Sequence, residues 1–312
     1  MLVLTAVAIV CTRDLFSAVI LAGIYGLLSA SFFVLMDAVD VAFTEAAVGA
    51  GIAPLLMFTT LAMTGRYQKH RGKVFGAIVL VAMLGALLLL TTMYFPAFGS
   101  PDGPVHTHLT PKYLNESPTE IGIPNVVTSV LASYRAFDTL GEVAVIFSAG
   151  IGVLSILAIR QRKFSETSSS LHEHKVLRIV GKIFIPPIML FALYVQFHGE
   201  YGPGGGFQAG VIFAAAIILY AMLFGMTVSK RVINHGAIRF LAAVGLLLYG
   251  IVGVLGMLTG GNFLEYNHLA GNPVTGQHIG ILLIELGVGI SVAAVMLLLY
   301  FSFSDYKQLD DV

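Results

Sequence analysis

Long apolar runs, separated by short polar segments, extend along the whole of this chain. A membrane helix needs about 20 apolar residues to cross a hydrocarbon core about 30 Å thick, and most of the runs reach that length. The pattern predicts spans near residues 1–12, 15–36, 39–63, 74–95, 137–159, 179–198, 206–228, 236–259 and 277–303. We therefore expect an all-α, polytopic membrane protein with about nine transmembrane helices.

The first run is shorter than the others and ends at Arg13-Asp14. Two interpretations are open: a short or tilted helix that stays in the protein, or a signal sequence. No basic segment precedes the run and no clear small-residue cleavage site follows it, so we favour a retained helix.

The composition is that of a membrane protein, and it excludes several kinds of partner and metal site. Hydrophobic residues make up 57% of the chain and charged residues 11%, whereas soluble domains carry about 25% charged residues. The net charge is zero, so the charge balance predicts no nucleic-acid partner. Cys11 is the only cysteine, which excludes disulfides and cysteine-ligated metals within the chain. The pairs His106/His108 and His172/His174 lack further ligands, so we expect neither a metal nor a cofactor.

The basic residues fall into three clusters. They are Arg66, Lys69, Arg71 and Lys73; Arg160, Arg162, Lys163, Lys175 and Arg178; and Lys230, Arg231 and Arg239. Nine spans place all three clusters on one side of the membrane, and the positive-inside rule makes that side cytoplasmic. We therefore predict an outside N-terminus, a cytoplasmic C-terminus and a location in the inner (cytoplasmic) membrane of the cell.

A polar stretch at residues 160–177 divides the chain into two parts. Serine, threonine and charged residues are concentrated there, as is typical of a linker. We predict a five-helix module at 1–159, a cytoplasmic linker at 160–177 and a four-helix module at 178–312.

Four carboxylates lie inside apolar runs or at their beginning. They are Glu45, Asp138, Glu142 and Glu285. An acidic side chain at the centre of a membrane helix costs about 3 kcal/mol on insertion scales. Because chains that carry several such groups generally use them to move protons or cations, these four residues are candidates for an ion path.

The third span combines acidic residues with helix-weakening residues. Asp40 lies near its outer edge, and Glu45 lies about 7 Å deeper at 1.5 Å per residue. Asp40 is either a carboxylate on the helix dipole or part of the ion path. Gly49, Gly51 and Pro54 serve either close helix packing or a bend such as a π-bulge. A deformable segment beside an ionisable residue predicts Glu45 as a gated proton site.

The fifth span begins with a carboxylate pair. Asp138 and Glu142 are four residues apart and share one helix face. Two carboxylates in a low dielectric do not both ionise easily, so we predict that the pair shares a proton. Alternatively, Arg135 pairs with Asp138 and leaves Glu142 as the titrating group.

A glycine-rich segment precedes the seventh span. Pro203, Gly204, Gly205 and Gly206 do not suit an ordinary helix start, and they predict close backbone approach or a re-entrant turn. Gly206 also forms a small-xxx-small pair with Gly210, which favours tight helix contact.

Two histidines accompany these groups. His198 and Glu200 flank the glycine-rich turn and are candidates for proton relay, with an outer-surface position as the alternative. His278 precedes Glu285 by seven residues, so the two face the same way and we expect them to communicate through water. The alternative role of Glu285 is pairing with a neighbouring subunit.

These segments resemble the multisubunit Mrp-type Na⁺/H⁺ antiporters. AVDVAFTEAAVGAG (38–51) and YRAFDTLGEVAV (134–145) are similar to the APDxAxTExxVGAG and FRGFDTxGE segments in the C-terminal part of the family's large A-type subunit. HGEYGPGGGFQAGVI (198–212) and HIGILLIELGV (278–288) are similar to the HxxPGGGFxGG and HxGxxLFDxGV patterns of its B-type subunit. Val39, Ala209 and Glu285 depart from these patterns, and no departure removes a carboxylate.

The resemblance implies the C-terminal part of the A-type subunit fused to the B-type subunit (the MnhB/MrpB family). As such the chain is a transporter component in the lipid bilayer rather than an enzyme, without catalytic residues. Its implied partners are other membrane subunits of the complex, and its transported ions are Na⁺ and H⁺. Similar modules in membrane-bound hydrogenases and in the J-type subunit of respiratory complex I leave a redox-driven pump open. A third hypothesis is a scaffold that translocates nothing.

Overall fold

The structure of the protein is a computed structural model that describes residues 1–69, 75–97, 99–158 and 174–305. Across these residues the regular elements are helices without β-strands, which confirms the all-α prediction. Eight of the helices in the described ranges are long and apolar enough to cross a membrane.

The described residues of the first half contain seven α-helices. They are α1 (Leu2–Cys11), α2 (Leu15–Leu35), α3 (Val39–Leu61), α4 (Phe75–Thr92), α5 (Ser117–Glu120), α6 (Val126–Ser129) and α7 (Ala136–Ala158). A π-helix interrupts α3 at Ala46–Ile52, and three further π-helical segments lie at Val105–Leu109, Lys112–Glu116 and Val130–Tyr134.

Between residues 174 and 305 the second half contains five α-helices. They are α8 (Lys175–His198), α9 (Gly206–Phe224), α10 (Met226–Val232), α11 (His235–Leu258) and α12 (Pro273–Asp305). A 3₁₀ turn, Tyr266–His268, lies between α11 and α12. Residues 175–177, predicted as linker, belong to α8 because the apolar helical pattern continues upstream to His174, the N-cap. The rest of the predicted linker lies outside the described residues, apart from His174.

The first predicted span differs from the others. Its helix, α1, has 10 residues and is therefore about 15 Å long at 1.5 Å per residue, half the thickness of the hydrocarbon. It packs against α2. A full crossing by α1 is thus not supported by its length, and the outside N-terminus, which depends on that crossing, stays a prediction.

Short polar side chains begin several of the helices. Asp14, Asn125, Asn234 and Asn272 each accept a hydrogen bond from the backbone amide two residues later. Such N-caps satisfy one of the four amides that a helix leaves without a partner at its start. These caps fix where α2, α6, α11 and α12 begin.

Contacts between helix ends agree with alternating spans. Arg66 donates to the Asp14 carboxylate at 2.9 Å, which brings the end of α3 to the beginning of α2. The Lys182 ammonium lies 5.4 Å from the centre of the Phe224 ring, which brings the beginning of α8 to the end of α9. Arg66, a member of the first basic cluster, therefore lies at the same end of the helices as the beginning of α2.

Most of the buried core belongs to the second half. In the most apolar stretch of α12, 67% of the residues are buried within the chain, whereas none is buried in α4. Glycines allow the helices around α12 to approach closely: a Cβ on Gly210 would lie 2.7 Å from the Gly289 carbonyl, and one on Gly245 would lie 2.5 Å from the Gly287 carbonyl. The helix α12 is therefore the central element of the fold.

Candidate functional site

Three of the predicted acidic residues line one cavity. Asp40, Glu142 and Glu285 border a space of about 680 Å³ between α3, α7, α9 and α12. Its other polar lining side chains are Thr44, Thr128, Thr139 and Gln208. The remaining walls are mainly apolar, so the carboxylates face a partly polar space that can hold water or a cation.

Asp40 is placed in the cavity by the first turn of α3. One of its carboxylate oxygens accepts a hydrogen bond from the Gly204 amide at 3.2 Å. It is half-buried. The side chain is therefore more than a helix-dipole partner, because it binds the backbone of the glycine-rich segment in the other half of the chain.

Glu142 and Asp138 have different surroundings in spite of their shared helix face. Asp138 accepts a hydrogen bond from Arg135 Nε at 2.7 Å, as the alternative interpretation predicted, and it is not among the cavity-lining residues. Glu142 lines the cavity. Both carboxylates are exposed in this chain, so the described residues do not supply the low dielectric on which a shared proton depends.

Glu285 lies against the glycine-rich segment, here called the glycine loop (199–205). A Cβ on Gly199 would lie 3.1 Å from Oε2 of Glu285, and one on Gly205 would lie 3.4 Å from Oε1. A Cβ on Gly206 would collide with the Glu285 carbonyl and would lie 2.9 Å from the Gly289 amide nitrogen. Side chains at these positions would separate the loop from the carboxylate.

The glycine loop itself needs glycine for its backbone shape. Gly205 has φ +128°, a conformation that side chains disfavour. A Cβ on Gly204 would lie 2.7 Å from the Val195 carbonyl. Pro203 is exposed at the tip. The predicted close backbone approach is thus present, with Gly206 and Gly210 making the predicted tight contact to α12.

Each of the two candidate histidines has a partner outside the cavity. His278 Nδ1 lies 3.0 Å from Oε2 of Glu200, so it pairs with the glycine loop and not with Glu285. His198 stacks on Tyr194, with ring centres 4.8 Å apart. Neither histidine lines the cavity. The seven-residue spacing places His278 on the helix face of Glu285, and communication between the two through water stays a prediction.

Glu45 lies next to the cavity region without lining it. The π-helix Ala46–Ile52 begins directly after Glu45. The Glu45 carboxylate lies over Gly49, where a Cβ would lie 2.8 Å from Cδ of Glu45. Gly26 of α2 lets the two helices approach here, because a Cβ on Gly26 would lie 2.7 Å from the Gly49 carbonyl carbon. The distortion predicted for these glycines is present as the π-helix, whereas the atoms nearest to a Cβ on Gly49 or Gly51 belong to the same helix. Pro54 begins the regular helix that follows.

Sequence reasoning missed two residues beside the cavity, Asn125 and Thr128. Their side chains donate hydrogen bonds to carbonyls of the glycine loop. The only local signal was an asparagine between Pro124 and an apolar run, which is typical of an N-cap. That signal predicts the beginning of α6 but not a contact with residues more than 70 positions away.

A charged cluster lies in the polar segment before α6. Lys112 contacts Glu116 and Glu120, and the Tyr134 hydroxyl donates to Glu120. These hydrogen bonds hold the pKa of Glu120 below its usual value, with Tyr134 the larger cause. The cluster is thus an acid-sensitive contact outside the spans, between the segment 112–120 and the segment that leads into α7.

Eight apolar helices in the described ranges, four of which line a cavity with carboxylates, define a multi-pass membrane protein. Three family models match successive parts of the chain: MbhD, the D-type subunit of MBH, at residues 1–66; MbhE, the E-type subunit of MBH, at 78–176; and a domain related to the MnhB subunit of Na⁺/H⁺ antiporter at 176–298. Asp40, Glu142 and Glu285 thus come from one matched part each.

Relatives and solved structures agree with these matches. The putative antiporter subunit mnhB2 of Staphylococcus aureus strain Newman is 36% identical over 134 residues, which is 41% of this chain and 93% of that protein. An uncharacterized protein of Methanocaldococcus jannaschii is 30% identical over 213 residues, 61% of this chain and 80% of that protein. The chain belongs to the MnhB family of antiporter subunits.

Two solved membrane complexes contain similar chains. A chain of the Mrp complex from Dietzia sp. DQ12-45-1b matches all of this chain with a TM-score of 0.79 and 25% identity. This chain spans only 35% of that one. A chain of the membrane-bound sulfane sulfur reductase, an archaeal respiratory membrane complex, matches 72% of this chain with a TM-score of 0.53 and 28% identity, and 96% of that chain is covered.

Proposed function

We propose that this chain is a membrane subunit of a multisubunit Na⁺/H⁺ antiporter and that its cavity is part of the ion path. The observation that carries the proposal is the convergence of Asp40, Glu142 and Glu285 on one cavity. Carboxylates in membrane helices can bind a proton or a monovalent cation alternately, which is the chemistry that exchange requires. The chain acts as a transporter component rather than an enzyme.

The residues have separate roles in this proposal. Glu142 on α7 and Glu285 on α12 take up and release protons or Na⁺, and Asp40 takes part in ion binding while it also ties the glycine loop to α3. Glu45, beside the π-helix, is an additional proton site. Its position changes if the π-helix shifts register. Asp138, His198 and His278 shape the surroundings of the path through their partners Arg135, Tyr194 and Glu200.

The test is ion exchange by the complete complex in vesicles. Glu142→Gln and Glu285→Gln keep the side-chain shape but remove the charge, and each is expected to lower Na⁺-driven proton release by at least about tenfold, the effect of roughly 1.4 kcal/mol. Glu116→Gln, an exposed position in the charged cluster, is the matched control. Full exchange by both cavity variants, with normal assembly, contradicts the proposed path.

A redox-driven pump is the second candidate function. It is favoured by the matches to MbhD and MbhE and by the similarity to a chain of the sulfane sulfur reductase complex. Native mass spectrometry of the gently extracted complex separates the two. Partners that are all membrane proteins support the antiporter, whereas iron–sulfur or nickel-bearing partners support the pump.

A scaffold without transport is the third candidate. The tight contacts of Gly206 and Gly210 with α12 favour it. It predicts that Glu45→Gln and Glu142→Gln leave exchange unchanged, while Gly206→Leu disrupts assembly. A loss of exchange in either carboxylate variant, with the complex intact, excludes it.

A further inference from the structure

Asn125 and Thr128 hold the glycine loop through its backbone carbonyls. The Asn125 carboxamide donates to the carbonyls of Gly199 at 3.1 Å and Gly202 at 3.0 Å, and its backbone amide donates to the Glu200 carbonyl at 3.0 Å. The Thr128 hydroxyl donates to the Gly199 carbonyl at 2.6 Å. Asn125 and Thr128 thus supply hydrogen-bond donors to three carbonyls of the glycine loop, those of Gly199, Glu200 and Gly202. Backbone carbonyls in a loop need such donors because no regular helix supplies them.

The other face of the same loop borders the ion cavity. Gly204 donates to Asp40, and Gly205 lies beside the Glu285 carboxylate. Thr128 lines the cavity as well. The hydrogen bonds of Asn125 and Thr128 therefore join α6 to the glycine loop. Together these two segments form one wall of the cavity.

This wall is built differently from the rest of the cavity. Most other lining residues belong to the long helices α3, α7, α9 and α12, each of which packs against at least one other long helix. The wall of α6 and the glycine loop consists of a four-residue helix and a loop with four glycines, joined mainly through hydrogen bonds. Segments with few packed side chains open locally at the lowest free energy, and short loop segments absorb the backbone rotation of hinges.

We propose that α6 and the glycine loop form a gate of the cavity and that Asn125 is the positioning residue that keeps the gate closed. The gate lies at the end of the helices opposite the basic clusters, which the positive-inside rule makes the outer side. When the Asn125 bonds break, the cavity opens to water and cations on that side. This inference rests on the proposed ion path and assigns its outer entrance.

Cysteine accessibility tests the gate without relying on transport. In the complete complex, the exposed Cys11 is first changed to serine, and Thr44→Cys then places one thiol in the cavity wall. A membrane-impermeant, cationic methanethiosulfonate is added to the outer side of sealed vesicles. Asn125→Ala is expected to raise the labelling rate of position 44 by about tenfold, because each 1.4 kcal/mol lost from the closed state raises the open population about tenfold.

Two further variants make the result decisive. Asn272→Ala is the matched control, since Asn272 is also an N-cap but binds only the amide of its own helix at Val274; it should leave the labelling rate unchanged. Thr128→Val removes one bond to the loop with little change of shape and should raise the rate by a smaller factor. If Asn125→Ala and Thr128→Val both label at the parent rate, or if Asn272→Ala labels as fast as Asn125→Ala, the gate is overturned.

Failure of the gate and failure of the proposed function remain distinguishable. Faster labelling in a complex that exchanges no Na⁺ for protons supports the gate and contradicts the antiporter. Normal exchange with labelling that does not respond to Asn125→Ala or Thr128→Val supports the antiporter and contradicts the gate. If Asn125→Ala fails to assemble, the Thr128→Val rate alone decides, because that variant keeps the Asn125 bonds.

Discussion

Asp40 and Gly204 are 164 positions apart in sequence, and a hydrogen bond of 3.2 Å joins the glycine amide to the carboxylate. The bond connects the beginning of α3 to the glycine loop beside Glu285. An acidic side chain of the first matched family segment thus helps to position the backbone of the third. Asp40 carries a charge and also accepts this hydrogen bond. A substitution that keeps the acceptor oxygen but removes the charge therefore tests the two properties separately.

Asp40→Asn keeps an oxygen that accepts from Gly204 but removes the charge. We expect normal assembly and a loss of Na⁺/H⁺ exchange of at least about tenfold, since the proposed ion path needs the charge whereas the contact with Gly204 needs only an acceptor oxygen. Exchange is measured in vesicles and assembly by size-exclusion chromatography.

Asp37→Asn is the control for that substitution. Asp37 is exposed in the turn before α3 and has φ +59°, which asparagine tolerates. Equal exchange by the two variants would show that the position of Asp40 in the cavity has no bearing on transport.

Gly206→Ala should destabilise the complex, and Gly250→Ala should not. A Cβ at Gly206 meets the backbone of Glu285 and Gly289, which cannot move aside cheaply, whereas no atom lies within 4 Å of a Cβ at Gly250. We expect a cost of about 1–3 kcal/mol for Gly206→Ala from overpacking. Gly250→Ala should stabilise its helix slightly, because alanine favours a helix interior by up to about 1 kcal/mol over glycine.

The thermal midpoint of the detergent-solubilised complex measures both effects. Gly206→Ala should lower the midpoint and Gly250→Ala should leave it unchanged or raise it. The same midpoint in both variants would contradict the close contact between α9 and α12.

Gly49→Ala should impair exchange through Glu45. The new methyl group occupies the place of the Glu45 carboxylate, while the matched variant Gly51→Ala meets only the Ala46 carbonyl at 3.4 Å. Gly49→Ala is therefore expected to reduce exchange more than Gly51→Ala does. In a Glu45→Gln background the difference should shrink, because the two residues are coupled; an unchanged difference would show that Gly49 acts through helix packing alone.

The ion pair of Asp14 and Arg66 predicts a pH-dependent stability. The hydrogen bond from Arg66 is the main cause that lowers the pKa of Asp14 from its usual 3.8 to about 2. Because the folded-state pKa is lowered, the stabilisation is complete above pH 3.8 and is lost as the pH falls from 3.8 to about 2. Asp14→Asn should therefore lower the thermal midpoint at neutral pH, and the difference from the parent should vanish near pH 2.

Asp102→Asn, at another exposed aspartate, serves as the control for Asp14→Asn. It should match the parent across the same pH range. A difference between Asp14→Asn and the parent that stays constant down to about pH 2 would rule out the ion pair as its cause.

Sequence reasoning predicted the spans well because hydrocarbon thickness imposes one length on every crossing. Eight predicted spans have helices within a few residues of their expected ends. It also predicted the close approach at Gly206 and the distortion after Glu45, because glycine has few other uses in such places. The apolar pattern left α1 ambiguous, since its length alone decides whether it crosses.

The sequence alone did not predict which distant residues contact each other. His278 faces Glu285 by helical spacing, yet it pairs with Glu200, because the path of the glycine loop determines which partner lies within 3.0 Å. Asn125 has the pattern of an ordinary helix cap, and its bonds to Gly199 and Gly202 depend on how α6 meets α8 and α9 in three dimensions. Local pattern predicts what each residue can bind but not which distant group it meets.

The length of α12 has a consequence for how this protein responds to solvent. Its 33 residues give about 50 Å of helix at 1.5 Å per residue, more than a tilt of up to about 40° absorbs in a bilayer. Since α9 begins beside Glu285, the first turns of α12 stand above the hydrocarbon, where Gly280 packs on the Tyr266 ring and Gly122 on Val274. Water, not lipid, drives the burial of that small core. Urea should therefore unfold it while the spans remain inserted, giving one chain two separate unfolding transitions.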